Sequence, residues 1–296
     1  MARFGSVLTA MVTPFKGDGT LDLDGAQKLA KYLVANGNDG IVVAGTTGES
    51  PTISYDEQRD LIAAVREAVP NAALIAGAGS NDTGTSVKNT MMATEAGADA
   101  ILSVTPYYNK PSQAGLLEHF RASAAATDLP VMIYDVPGRT SKKIETSTII
   151  KLSEIENIVA LKDAAANPSE TAIVVAEAAD GFEVYSGDDG FTLPLLAIGA
   201  VGVVGVITHY MGAVMSQMIT AYNEGRVADA MALNQRMIPA YAHFGYDDAP
   251  SPVPTKSIMN LLGIQVGECR LPMGPAPADM EVRSKATINQ LGLAAA

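Results

Sequence analysis

Lys162 closes the run Asn-Ile-Val-Ala-Leu-Lys that begins at Asn157, an apolar, strand-like stretch ending in an amine. Removing an ammonium from water disfavours its charged form, so a lysine lodged there carries enough neutral amine near pH 7 to attack a ketone carbon. That is Schiff-base chemistry. A plainer reading has the lysine stem lying along apolar surface while its head reaches water or pairs with Asp163. Other residues bear on the choice. Tyr134, at the end of Val131-Met132-Ile133, is either a proton-transfer hydroxyl or a core tyrosine whose hydroxyl is satisfied. Thr46 and Thr47 stand inside Gly-Thr-Thr-Gly-Glu, residues 45–49. Flanking glycines there let backbone donors close on a small carboxylate, although a simple glycine-cornered turn produces the same string. Arg139 offers a planar fork suited either to a second carboxylate or to an ordinary surface ion pair.

Whether these side chains meet depends on the elements that carry them. Short β-branched runs recur at residues 7–12, 40–43, 73–76, 100–104, 131–134, 158–161, 183–185 and 201–206. Amphipathic stretches at 24–35, 55–68, 84–96, 113–126 and 169–179 fall between them, an alternation that builds parallel sheets. Near-continuous apolar strands in such βα units, packed into about 220 residues, predict a closed (β/α)8 TIM barrel over an open doubly wound sheet. Only helical patterns follow, at 213–223, 227–243, 254–262 and 278–291. Residues 1–223 are therefore expected to form the barrel with its site, and 224–296 a C-terminal helical extension. The proline-rich, acidic loop at 245–254 separates them only locally. In a barrel, chemistry gathers at the C-terminal strand ends. The fifth and sixth strands are neighbours there, so Tyr134 and Lys162 are predicted to face one pocket, each strengthening the chemical reading of the other.

Composition excludes whole classes of function. A chain of 296 residues that is 48% hydrophobic supplies a large core. A formal charge of -12 with only 20 Lys+Arg argues against nucleic-acid and anionic-membrane partners, which demand a basic footprint. The longest apolar run, residues 194–207, falls short of the roughly 20 residues a spanning helix needs, and the first residues show no export pattern. The single cysteine, Cys269, allows neither an internal disulfide nor a metal cluster, in keeping with a reducing cytoplasm, and is read as a bystander. Residues 79–86 have the glycine spacing of a P-loop but threonine where that motif needs lysine. His119, His209 and His243 lie far apart and are read as surface or packing residues, so no metal is expected.

Taken together, GTTGES (45–50), TPYYNKPSQ (105–113), YDVPGRT (134–140), LKDA (161–164) and SGDD (186–189) closely resemble the dihydrodipicolinate synthase family. That family belongs to the pyruvate-dependent class I aldolases and lyases, and the resemblance covers essentially the whole chain. It implies that Lys162 forms an imine with pyruvate, which becomes an enamine and adds to the aldehyde of L-aspartate 4-semialdehyde, on the diaminopimelate route to L-lysine. The imine is itself the electron sink, so no metal or organic cofactor is implied. By the same resemblance Tyr134 is the general acid/base, relayed through Thr46 or Thr47 and Tyr108. Thr47, with backbone groups of Thr46 and Val204, holds the pyruvate carboxylate, and Arg139 holds that of the semialdehyde. Tyr108 reaches into a neighbouring subunit's site, which implies at least a dimer; homotetramers, as dimers of dimers, are usual in the family.

N-acetylneuraminate lyase and the 2-keto-3-deoxy sugar-acid aldolases share the threonine turn, tyrosine and lysine but generally lack the arginine. A carboxylated semialdehyde needs a cation there, and a neutral polyol tail does not. A non-catalytic barrel that senses pyruvate-like acids is the alternative from another class. The chain departs from lysine-inhibited relatives at Tyr55, Gln58 and Thr85, where those commonly carry histidines and a glutamate, while Asn81 and Tyr107 remain. Without a carboxylate to take the ammonium, weak or absent inhibition by lysine is expected. Val204 stands where the family often has isoleucine, a harmless change if only its backbone is used.

Overall fold

Eight parallel strands close on themselves in the computed structural model, which describes residues 2–294. They are β1 Val7–Ala10, β2 Gly40–Val43, β3 Ala73–Gly77, β4 Ala100–Val104, β5 Val131–Asp135, β6 Ile158–Asp163, β7 Glu183–Ser186 and β8 Gly202–Gly205. β1 pairs with both β2 and β8, so the sheet leaves no edge. The helices are α1 Leu23–Ala35, α2 Tyr55–Ala68, α3 Thr83–Glu95, α4 Gln113–Ala124, α5 Pro137–Thr140, α6 Thr146–Ser153, α7 Pro168–Glu177, α8 Thr192–Leu196 and α9 Thr208–Asn223. Beyond these lie α10 Val227–Ala242, α11 Val253–Leu261 and α12 Met280–Leu291. This is the expected TIM barrel with C-terminal helices. Side-chain caps start several of the helices: Asp22 on α1, a Ser54–Glu57 capping box on α2, Asp82 on α3, Ser112 on α4 and Asn167 on α7.

Strand alternation sorts the core into two layers. Leu8, Val42, Ile75, Leu102, Met132 and Val204 fill the barrel interior. Ile41, Leu74, Ile101, Ile133, Leu161 and Val203 pack under the helices. Ala160 belongs to the interior, so Lys162, two residues on, points inward too, at the mouth of the barrel.

The differences from the sequence patterns have local causes. A helix was expected after each strand, but the bounds of α6 and α8 were not, nor was the short α5. α6 reads Thr-Ser-Thr-Ile-Ile-Lys-Leu-Ser, rich in β-branched residues, yet it is helical because Ile149 and Leu152 bury against the barrel in the crossover from β5 to β6. β1 stops at Ala10 rather than at residue 12, since the Val12 amide donates to His209 Nε2 (3.0 Å) and not to a strand. α9 begins at Thr208, earlier than expected, where Thr9 Oγ1 donates to Thr208 Oγ1 (2.7 Å) and ties the helix to β1. The histidines are all buried packing residues, none at the surface. His119 bonds Thr83, His209 links the β1 end to Val206, and His243 bonds Ser284. No helix among the described residues is long and apolar enough to cross a membrane.

Candidate active site

Tyr134 and Lys162 are register partners on β5 and β6. The Lys162 Nζ stands 4.3 Å from the centroid of the Tyr134 ring, and each residue is only 5% exposed. Asp163 does not pair with the amine. It faces outward, accepting from Thr171 Oγ1 (2.5 Å) and the Ala165 amide (2.9 Å). The ion-paired lysines among the described residues are Lys143, Lys256 and Lys285, so Lys162 keeps its amine free of a bound carboxylate. Burial pulls its pKa down to about 8, against the Asp189 carboxylate, which favours the ammonium, and with help from the Arg139 cation. At pH 7 this leaves about a tenth of Lys162 as free amine, where an ordinary lysine has roughly one part in a few thousand.

A pH dependence follows from that shift. Because attack needs the neutral amine, the rate of imine formation is expected to climb nearly tenfold from about pH 6 to 7 and to level off above about pH 8. Borohydride trapping measured as a function of pH checks this, and a flat profile from about pH 6 to 9 would contradict it.

Burial pushes the Tyr134 hydroxyl the other way, to about 12, with Arg139 and a contact from Thr46 restraining the rise. It therefore holds its proton at neutral pH and serves first as a donor. Its strand end is anchored: the Tyr134 carbonyl accepts from the Thr105 amide (2.9 Å) and Thr105 Oγ1 (2.8 Å), and the next residue, Asp135, accepts from the Ile144 amide (3.0 Å).

After β2 the chain folds into a tight turn bounded by two left-handed residues, Ala44 (φ 52°) and Glu49 (φ 58°). The Glu49 amide donates to the Thr46 carbonyl (3.0 Å) and the Ser50 amide to that of Gly45 (3.2 Å). Gly48 is pressed against its surroundings, since a Cβ there would lie 3.1 Å from both the Met11 carbonyl oxygen and the Ala44 nitrogen. Thr47 is buried, and Thr46 is half-buried on the wall of a cavity of about 280 Å³ that Glu49, Tyr107, Val136 and Arg139 also line. A second cavity of about 210 Å³ is lined by Tyr134, Val136, Arg139, Asp188, Asp189 and Tyr241. Val136 and Arg139 border both, so the two cavities share a wall. Arg139 sits exposed on α5, and the ion-paired arginines among the described residues do not include it.

Lys162, Tyr134, Thr46 and Arg139 are thus brought together. Val204 fills the barrel interior at the level of Leu8 on β1. Tyr108 is not brought in: it is 89% exposed, with φ 76°, and lines neither cavity of its own chain. The structure adds residues that sequence reasoning left without a role. Asp189 is buried, accepts from the amides of Val206 (2.9 Å) and Ile207 (3.4 Å), and is pushed by burial to about 6. With Asp188 it occupies the end of β7, where the string SGDD was the available signal. Glu49, the last residue of the threonine turn, is the other.

A closed parallel barrel with a desolvated amine and a phenol on adjacent strand ends, opening beside an unpaired arginine, defines the class of aldolase-type barrels. The chain belongs to the dihydrodipicolinate synthetase family, whose model matches residues 3–291. It is 50% identical over 283 residues to the 4-hydroxy-tetrahydrodipicolinate synthase of Acidothermus cellulolyticus, covering 95% of this chain and 91% of that protein. Identity to the Bacillus subtilis 4-hydroxy-tetrahydrodipicolinate synthase is 46% over 291 residues, 98% of this chain and all of the other. The crystal structure of the Cyanidioschyzon merolae enzyme with lysine bound matches with a TM-score of 0.96 at 41% identity, covering 99% of this chain and 100% of that one.

Proposed function

We propose that this chain carries out the 4-hydroxy-tetrahydrodipicolinate synthase reaction, condensing pyruvate with L-aspartate 4-semialdehyde. The observation that carries the reading is the buried Lys162 amine, free of a carboxylate and 4.3 Å from the Tyr134 ring. Pyruvate sits with its carboxylate on Thr47 and backbone groups of Thr46 and Val204. Lys162 attacks the ketone carbon, Tyr134 protonates the departing hydroxyl, and water leaves as the imine forms. Loss of a methyl proton yields the enamine, whose carbon adds to the aldehyde. The amine of the semialdehyde then displaces Lys162 from the imine carbon and closes the ring. Protons pass through Thr46 and Tyr108, the latter supplied to a neighbouring subunit, so the working form is a homo-oligomer, a dimer of dimers. The scheme uses no metal or organic cofactor, and the enzyme acts in the cytoplasm.

A coupled assay with both substrates tests this. Arg139→Ala is expected to raise the KM for the semialdehyde about tenfold to a hundredfold, the worth of hydrogen bonds to a charged group, while pyruvate trapping by borohydride stays near native. Faster turnover with N-acetylneuraminate or a keto-deoxy sugar acid would move the function to the sugar-acid aldolases. No trapped pyruvate would leave a non-catalytic barrel.

The region corresponding to inhibitor capture in lysine-sensitive relatives is a cavity of about 330 Å³ lined by Tyr55, Gln58, Thr85, Lys88 and Tyr107. Lys88, 4.5 Å over the Tyr55 ring, is the only charged side chain among its described lining residues, and Gln58 spends its amide on the Gly77 carbonyl. A cation there repels an incoming ammonium, so half-inhibition by L-lysine is expected only above about 1 mM. Steady-state rates over a lysine titration check it.

A further inference from the structure

Glu49 is 2% exposed, yet it lines the same cavity as Thr46 and Arg139. A buried carboxylate beside a site for anions needs an explanation, and the C-terminal extension supplies one. Lys256 of α11, itself 2% exposed, sets its Nζ 2.7 Å from Glu49 Oε1, and the Arg270 amide donates to Oε2 (2.9 Å). Among the described residues Oε1 has no hydrogen bond besides this ion pair. Lys256 also donates to the Glu268 carbonyl (3.0 Å) and lies 4.3 Å above the Phe15 ring, which the Arg270 guanidinium shares at 4.2 Å. Arg270 is itself bound to Glu57 and to the carbonyls of Gly19 and Thr52. Glu49 is one of the two left-handed residues that bound the threonine turn, a conformation that persists in a residue with a Cβ only where contacts hold it.

We propose that Lys256 is a positioning residue of the candidate site: acting through Glu49, it fixes the threonine turn and keeps the cavity clear of uncompensated negative charge. The proposal rests on the reading that an anionic 2-keto acid occupies the cavity. The groups around the pair do not replace Lys256. Burial holds the Cys269 thiol up at about 12, hence neutral; the Arg270 guanidinium is committed to Glu57, whose carboxyl it holds down to about 2; Glu268 offers its carbonyl; Arg139 lies on the cavity wall for the substrate. Burial also lowers the Lys256 pKa, and Glu49 beside it resists that shift.

The readout is the pyruvate concentration that half-saturates borohydride trapping, followed from about pH 6 to 8.5, which isolates the first step from the second substrate. In Lys256→Met it is expected to rise about tenfold, because the cavity wall then carries a carboxyl group without its cation, while the maximal trapping rate stays within about threefold of native. Glu49→Gln keeps an acceptor for the Arg270 amide but removes the opposite charge, so it should lower half-saturation by about threefold. Native half-saturation in Lys256→Met at every pH overturns the proposal, as does a loss of the same size in both variants, the mark of general damage to the turn. If Lys256→Met does not fold, Glu49→Gln decides alone: a lowered value supports the role and an unchanged or raised one overturns it. A native chain that pyruvate and borohydride fail to modify defeats the function itself, whereas normal native trapping that ignores both variants defeats only the role of Lys256.

Discussion

Lys162→Ala is expected to abolish covalent capture of pyruvate and to lower kcat/KM by at least about 10⁴-fold, since among the described residues no other buried amine is free to carry the imine. Among the described residues the only comparably buried lysine is Lys256, and its Nζ is held by Glu49 and the Glu268 carbonyl. The loss will not come from unfolding. A buried amine without an ion-pair partner is a cost to the folded state, so removing it should leave Tm unchanged within a few degrees or raise it. Mass spectrometry after borohydride treatment with pyruvate, beside a thermal melt, separates the two. A Lys162→Ala protein that still takes up pyruvate covalently would mean that the reactive amine is elsewhere.

Tyr134→Phe is expected to lower kcat by about 10²- to 10⁴-fold, the usual worth of a positioned acid or base. The ring, which packs in the barrel interior and supports the Lys162 amine at 4.3 Å, is retained, so pyruvate should still bind and slow trapping should persist. What is lost is the proton that burial keeps on the phenol until about pH 12, needed as hydroxide leaves the carbinolamine carbon. The signature is therefore a fall in kcat with the pyruvate KM moved little. A drop of less than about tenfold would assign proton transfer to another group, with Asp189, a buried acid whose charge acts on the Lys162 amine, the candidate.

Much of this was legible before any coordinates. Apolar runs bounded by glycine and proline marked all eight strands, and α2 ends where its periodicity does, at Ala68. The bounds of α6 were not legible, because its threonines and isoleucines favour strand locally and only the crossover forces a helix. The site strings were legible as chemistry but not as geometry. Asp163, a plausible partner for Lys162 in the sequence, is turned to the other face of β6 and held by Thr171. Asp189 reaches the amides of Val206 and Ile207, a contact that no local pattern announces.

The sequence by itself determined the barrel and placed an amine, a phenol and a threonine turn at particular strand ends, while the roles expected of them came from the resemblance to a family. Those features rest on periodicity and on residue types within single βα units, which are local. Only the tertiary structure decided that Arg139 stays unpaired between two cavities and that Glu49 is held from the C-terminal extension. Glu49 and Arg270 are 221 residues apart in the chain. Contacts of that kind depend on how the barrel closes and what then packs across its rim, so they have no signature until the chain has folded.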